Sequence, residues 1–332
     1  MSLATYSHSG RMGLSSMLLG PAVGLVVAAG LAYLYQYAVY FIPFIYLNLL
    51  LTLALGAGVG FACGFALKFG KCRNAALAVF IGAACGVTAT AVSHWVSYQH
   101  LVSDVQKEYA VEGATFESVE NAISFGEYFT LKSEIGWAIG NSRVGKTNGG
   151  MPISGVFVWI IWLVEMGAVA GVAGLLARRP IDLPFCESCD QWTVAQPAGS
   201  LTPAAVSPLS SAIEKGDMAA ILTPQRDPRS DKTAVFTLHR CTACANSGYL
   251  SCKLNYKVME KGKPTQKSDP VFDFVAVDES QIETLKQSLA GAAREPLPKF
   301  EPAQNKPLTK FAPPARKPLP GKPANPTQPP SA

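Results

Sequence analysis

The sequence predicts a multi-pass α-helical membrane protein: four transmembrane helices, a small cytosolic α+β module and a disordered tail. Three observations carry that reading. No residue between Arg11 and Lys68 is charged, two Cys-x-x-C pairs follow the last long apolar stretch, and 12 of the 24 prolines fall in the final 38 residues. The averages agree. The 332 residues are 49% hydrophobic and 15% charged, with a mean hydropathy of +0.20, whereas soluble domains carry about 25% charged residues. With 29 glycines, 8 cysteines and 10% aromatics, collagen-like, disulfide-scaffold and wholly disordered chains are excluded.

Residues 1–15 form an N-terminal cytosolic segment. The uncharged run behind it greatly exceeds the roughly 20 apolar residues that cross a bilayer. Pro43 divides it, because proline removes a helical donor, giving spans at 16–40 and 44–67. A third span runs over 75–98 and a fourth over 153–177. A cleaved signal peptide competes for the first span, but its apolar stretch is too long. The first acid is Asp104. Arg11, the Lys68-Lys71-Arg73 loop and Arg178-Arg179 fall on one side of four crossings. The 99–152 loop falls on the other and holds seven acids (Asp104, Glu108, Glu112, Glu117, Glu120, Glu127, Glu134) against four bases. Basic residues near span ends stay inside, so both termini are expected in the cytosol, with the cytoplasmic (inner) membrane of a bacterium as the location. Tyr33, Tyr35, Tyr37, Tyr40, Tyr46, Trp95, Tyr98, Trp159 and Trp162 sit toward the outer span ends. An interfacial aromatic belt is preferred there over a ligand-binding cluster.

Small residues recur at four-residue spacing: Gly20/Gly24, Gly56/Gly60/Gly64, Gly82/Gly86 and Gly167/Gly171. Such faces allow close helix approach in lipid, either within one bundle, the favoured use, or between copies in a homo-oligomer. Glu165 is the one ionisable residue deep in the bilayer. At 1.5 Å per residue it lies roughly 18 Å from the inner span end, level with Thr88. A hydrogen bond from Glu165 to Thr88 or to a backbone carbonyl across a glycine seam is therefore expected. A neutral interhelical glue residue is the favoured role, with proton or cation handling as the alternative.

Apolar residues at about helical spacing through Val105–Phe125 predict one or two amphipathic helices in the 99–152 loop. Residues 140–147, GNSRVGKT, fit the G-x-x-x-x-G-K-[ST] phosphate-loop pattern. That motif needs a buried strand before it and a helix opening at its Lys-Thr; neither is predicted here, and the segment is placed outside the cell.

The eight cysteines divide three ways. Cys63, Cys72 and Cys85 belong to the spans as small apolar residues. Cys186 with Cys189 and Cys241 with Cys244 form two C-x-x-C pairs, while Cys252 stands alone. Two pairs complete a tetrahedral four-sulfur site suited to Zn²⁺, in a compartment where thiols stay reduced. Residues 186–258 resemble a zinc ribbon, in which two such knuckles are joined through β structure; the resemblance covers only the pairs and their neighbouring strands. It implies a structural Zn²⁺, since four sulfurs leave no open coordination position. The 51 residues between the pairs are a long gap, which an inserted amphipathic helix over 208–222 accounts for, after a loop at 197–205. Redox-active pairs and unrelated reduced thiols are the alternatives, with His239 a lesser candidate for the fourth ligand.

Strands are expected at 235–238, 249–258 and 271–277, then a helix from Asp278 through Leu289. Together these make a soluble module over 178–294. Its 14 bases against 13 acids argue against a nucleic-acid footprint. Residues 295–332 repeat with period 11 (Pro296-Leu297-Pro298-Lys299-Phe300, Pro307-Leu308-Thr309-Lys310-Phe311, Pro318-Leu319-Pro320), a composition that favours extended polyproline conformations. The tail is read as a tether, with Lys299, Phe300, Lys310 and Phe311 as candidate contacts to anionic lipid or to a partner's aromatic groove. The functional expectation is a non-enzymatic adaptor, assembly or regulatory factor whose surroundings are the bilayer and a protein partner. A transporter or channel-like protein using Glu165 comes second, and a membrane enzyme with an extracytoplasmic site third.

Overall fold

The computed structural model describes residues 3–42, 45–109, 123–139, 151–227, 229–244, 248–261 and 263–294. Four helices are long and apolar enough to cross a membrane: α1 (Leu14–Phe41), α2 (Ile45–Phe69), α3 (Ala75–Tyr109) and α5 (Val156–Arg178). Between the last two come α4 (Phe125–Ile135) and a two-stranded ribbon, β1 (Trp137–Ile139) with β2 (Met151–Ile153). Large apolar side chains point away from the bundle along all four long helices, among them Leu18, Val26, Leu34, Leu49, Leu50, Phe80, Leu163, Val164 and Leu175. Contiguous apolar surface of this extent is foreign to water-facing monomers.

The inward faces are built from small residues. Along α1 the buried positions are Ser16, Gly20, Gly24, Ala28 and Ala32, one per turn. Gly24 lies against Cys63 and Cys85. On α2, Gly56, Gly60 and Gly64 face the backbone of Val169, Ala173 and Ala177 on α5; a Cβ on each would lie 2.8, 2.5 and 2.7 Å from the respective carbonyl oxygens. Gly82 and Gly86 of α3 meet the same α5 stripe. Helices in lipid associate by this kind of close backbone approach. Gly167 and Gly171 depart from the expectation. Both are exposed, with nothing within 4 Å of a Cβ built on either, because they lie across the helix from Val169, Ala173 and Ala177.

Helix α3 continues to Tyr109, well past position 98, so part of the expected loop helix is an extension of the span. Ser124 and Glu127 form a capping box that starts α4. Phe129 of α4 packs against His94, Trp159 and Trp162, with ring centroids 5.2–5.9 Å apart. Lys132 donates to the Ser97 hydroxyl at 2.8 Å. The phosphate-loop-like segment and the Pro43 turn lie outside the described residues.

The remaining elements form a small α+β module. A short hairpin, β3 (Phe185–Cys186) with β4 (Gln191–Trp192), leads into an antiparallel sheet of β5 (Val194–Leu201), β6 (Thr233–Arg240), β7 (Gly248–Glu260) and β8 (Lys263–Val277), in that order. Three helices cover one face: α6 (Val206–Lys215), α7 (Met218–Leu222) and α8 (Glu279–Arg294). Leu209, Ile221, Phe236, Leu250, Phe272, Ile282 and Leu285 lie at the heart of that core.

Two expectations change here. The 197–205 segment is strand through Leu201, with a register shift between Pro197 and Gly199; β5 is an edge strand, where proline is tolerated. The single 208–222 helix is two helices. Gly216 takes a left-handed conformation (φ 68°) that ends α6, and the Asp217 side chain caps α7 by accepting from the Ala220 N–H at 3.2 Å.

Candidate metal centre

The register of the sheet brings the two cysteine pairs together. The first pair lies in the β3–β4 hairpin that leads into β5, and the second immediately follows β6. Strands β5 and β6 are hydrogen-bonded neighbours, with Val194 opposite Arg240. The long gap in sequence is therefore a short distance in space, and α6 and α7 are an excursion between the two strands. Each knuckle is a tight turn: the first starts at Cys186, the last residue of β3, and closes the β3–β4 hairpin, with Asp190 at φ 52°. Thr242 of the second knuckle reaches the Gln191 carboxamide oxygen of the hairpin at 3.4 Å.

The four sulfurs of Cys186, Cys189, Cys241 and Cys244 all lie within 4.8 Å of one another, and the Cys186 and Cys244 Sγ atoms are 3.4 Å apart. A tetrahedral ion with metal–sulfur bonds of about 2.3 Å separates its sulfurs by roughly 3.8 Å. The cluster accommodates such an ion with adjustments of no more than about 1 Å in any sulfur–sulfur separation. Burial would push the Cys186 thiol up, but donation from the Ser188 hydroxyl, the Cys189 backbone N–H and the neighbouring thiols outweighs it and brings Cys186 down to about 6. Cys244, placed among Cys189, Cys186 and Cys241, is pushed up to about 12. These surroundings favour a thiolate at Cys186, the form a metal requires.

His239 is not part of this cluster. It sits on β6 with Nε2 3.2 Å from the Ser251 hydroxyl and its ring edge-on to Phe274. Cys252 is fully buried in the sheet core, where burial pushes its thiol up to about 12.

The first knuckle also attaches the module to the helices. Arg73, in the α2–α3 turn, pairs with Glu187 and stacks 4.4 Å from the Phe185 ring centroid. Lys71 pairs with Asp190, and the Trp192 indole N–H donates to the Lys68 carbonyl at 2.9 Å. The N-terminal segment adds a strand-like contact to the edge of β8: the Tyr6 N–H donates to the Phe274 carbonyl and the Ala276 N–H to the Ala4 carbonyl, both at 2.8 Å. The Tyr6 hydroxyl then accepts the Phe185 N–H at 3.1 Å. The N-terminus and the module thus lie at the same end of the bundle.

Glu165 and Thr88 do not meet. Thr88 is only partly buried and donates to its own helix at the Ala84 carbonyl, 3.0 Å away. Its hydroxyl makes no hydrogen bond to Glu165. The partners of Glu165 are two hydroxyls that the sequence reading did not assign to it. Tyr35 of α1 donates to Glu165 Oε1, and Thr52 of α2 lies 3.3 Å from the same oxygen. Tyr35, grouped by sequence with the aromatic belt, turns its hydroxyl into the bundle. Lys299, Phe300, Lys310 and Phe311 lie outside the described residues. Comparison of the chain with protein-family models, with curated proteins and with solved structures finds no match in any of the three.

Proposed function

We propose that the chain is a membrane-anchored adaptor or assembly factor, with both termini on the cytosolic side, whose module is stapled by a structural Zn²⁺. One observation carries the reading: the knuckle that supplies Cys186 and Cys189 is the same segment that grips the α2–α3 turn through Arg73–Glu187 and Lys71–Asp190. Holding the metal and docking the module are thus functions of the same few residues. Thiolate ligands in a reducing compartment favour zinc. Four of them saturate a tetrahedral ion, so its work is to fix shape. The zinc-ribbon resemblance supports this, with α6 and α7 as the insertion.

The surface offered to a partner is the far half of the β7–β8 hairpin. Residues Lys263–Pro270 are exposed, and so are Lys257, Met259 and Glu260 on the opposing strand. Two strands alone are marginally stable in water, and an open strand edge is a ready site for strand addition by another protein. The proline-rich tail, through Lys299, Phe300, Lys310 and Phe311, would supply a second contact.

The test places a photo-crosslinking amino acid at Met259 in the full-length protein in cells, with and without Cys189→Ser. A discrete protein adduct that disappears in the cysteine variant supports the adaptor. Adducts to lipid alone, or a protein adduct unchanged by Cys189→Ser, contradict it.

A further inference from the structure

We propose that Glu165, Tyr35, Thr52 and Asn48 form a binding site for one small alkali cation inside the helical bundle. The site is independent of the cysteine centre and rests on a count of donors and acceptors. Tyr35 has one hydroxyl proton, which goes to Glu165 Oε1. Thr52 also has one; at 3.0 Å the Asn48 carbonyl is a closer acceptor for it than Glu165 at 3.3 Å. The lone pairs of the two hydroxyls, 3.1 Å apart, are left over. So is Glu165 Oε2, which takes no hydrogen bond among the described residues. The Asn48 carboxamide oxygen, one helical turn from Thr52, is buried and likewise without a hydrogen-bond partner. The Asn48 carboxamide nitrogen carries two further protons, but among the described residues it donates to none of these oxygens; oxygen acceptors are thus left over within the group, which is the environment a hard cation takes.

Charge points the same way. An acid inside a membrane helix calls for a partner of opposite charge. Among the described residues no Lys, Arg or His forms an ion pair with Glu165. A monovalent ion neutralises a single carboxylate, whereas a divalent ion would leave a net charge in the hydrocarbon. The ligands come from α1, α2 and α5. Helices α1 and α5 each pack on both α2 and α3, so a bound ion would tie three of the four helices together.

The experiment uses the purified full-length protein in detergent, exchanged into choline chloride and titrated with NaCl or with KCl. Two quantities are read: the rate at which a hydrophobic carbodiimide modifies Glu165, followed by peptide mass spectrometry, and the Tm. Saturating sodium or potassium should slow modification by about tenfold and raise the Tm, since a ligand bound only to the folded state stabilises it. The more effective of the two salts identifies the ion. Tyr35→Phe and Thr52→Val should each raise the half-protecting concentration by about tenfold, the loss of one good ligand contact. The cation-dependent rise in Tm should vanish in Glu165→Gln; should that variant not fold, the wild-type labelling and the two hydroxyl variants still decide. Equal modification rates in all three salts, or a rise in Tm that persists in Glu165→Gln, would overturn the proposal.

Discussion

Thr88 and Thr52 carry the same hydroxyl and do different things, because side-chain direction around a helix matters as much as height along it. Counting residues from the span ends gives height, and by height alone Thr88 was the partner of Glu165. Direction around the axis comes from packing, and packing buries the Thr52 hydroxyl beside Glu165 while the Thr88 hydroxyl, partly buried, bonds back to its own helix. The clustering of the four cysteines was legible because their spacing is itself the chemistry: two residues between thiols close a knuckle. Arg73 was legible as a basic residue near a span end, but its contact with the module was not. Its side chain is 11% exposed, paired with Glu187 and laid over Phe185. Arg73→Ala should weaken the docking of the module by roughly 1–2 kcal/mol, the loss of a partly desolvated cation–π contact and its ion pair. Faster proteolysis of the 179–184 linker, with the helical bundle still intact, is the expected readout; an unchanged cleavage rate would contradict it.

At the scale of elements, the long helices were legible from length and hydropathy, and their glycine seams from spacing. Which seam faces inward was not. Gly60→Ala places a methyl 2.5 Å from the Ala173 carbonyl oxygen and should cost about 1–3 kcal/mol, the range for overpacking. Gly167→Ala meets nothing and should leave thermal unfolding in detergent unchanged or slightly improved. Equal effects of the two would refute the assignment of faces. Strand β5 escaped the sequence reading because Pro197 and Gly199 punctuate it as a loop would. An edge position and a bulge accommodate both, and Leu289 of α8 fills the space where a Cβ on Gly199 would lie, at 2.7 Å. Helix α4 makes a prediction about pH. The Ser124 backbone N–H and hydroxyl hold the Glu127 carboxyl below the usual carboxylate range. The folded value is thus below the unfolded one, so the cap's contribution is complete above the ordinary carboxylate range and is lost as pH falls through the lowered value. Acid should loosen α4 from Trp159 and Trp162, seen as a change in tryptophan fluorescence. Glu127→Ala should abolish that transition, and a transition unaltered by the substitution would exclude the cap as its cause.

For the whole molecule, the N-terminal segment, the α2–α3 turn and the cysteine knuckle meet at one end of the bundle, while α4 packs at the other. Charge bias along the sequence pointed to the same division, because basic residues cluster on the side where they also find the acids of the module. If the four helices cross a membrane, cysteines introduced at Ala110 and Lys215 should react with an impermeant maleimide from opposite sides. Reaction from the same side would refute four crossings. The central claim is that four sulfurs from two distant stretches of chain hold one structural metal ion where the module meets the helices. Elemental analysis of the full-length protein, purified under reducing conditions without added metal, tests it most directly. One zinc per chain is expected, lost on Cys189→Ser or Cys241→Ser, with an X-ray absorption spectrum of four sulfur neighbours at about 2.3 Å. Less than about half an equivalent of metal, where one closed four-sulfur site requires a full one, or a shell containing nitrogen or oxygen, would contradict it.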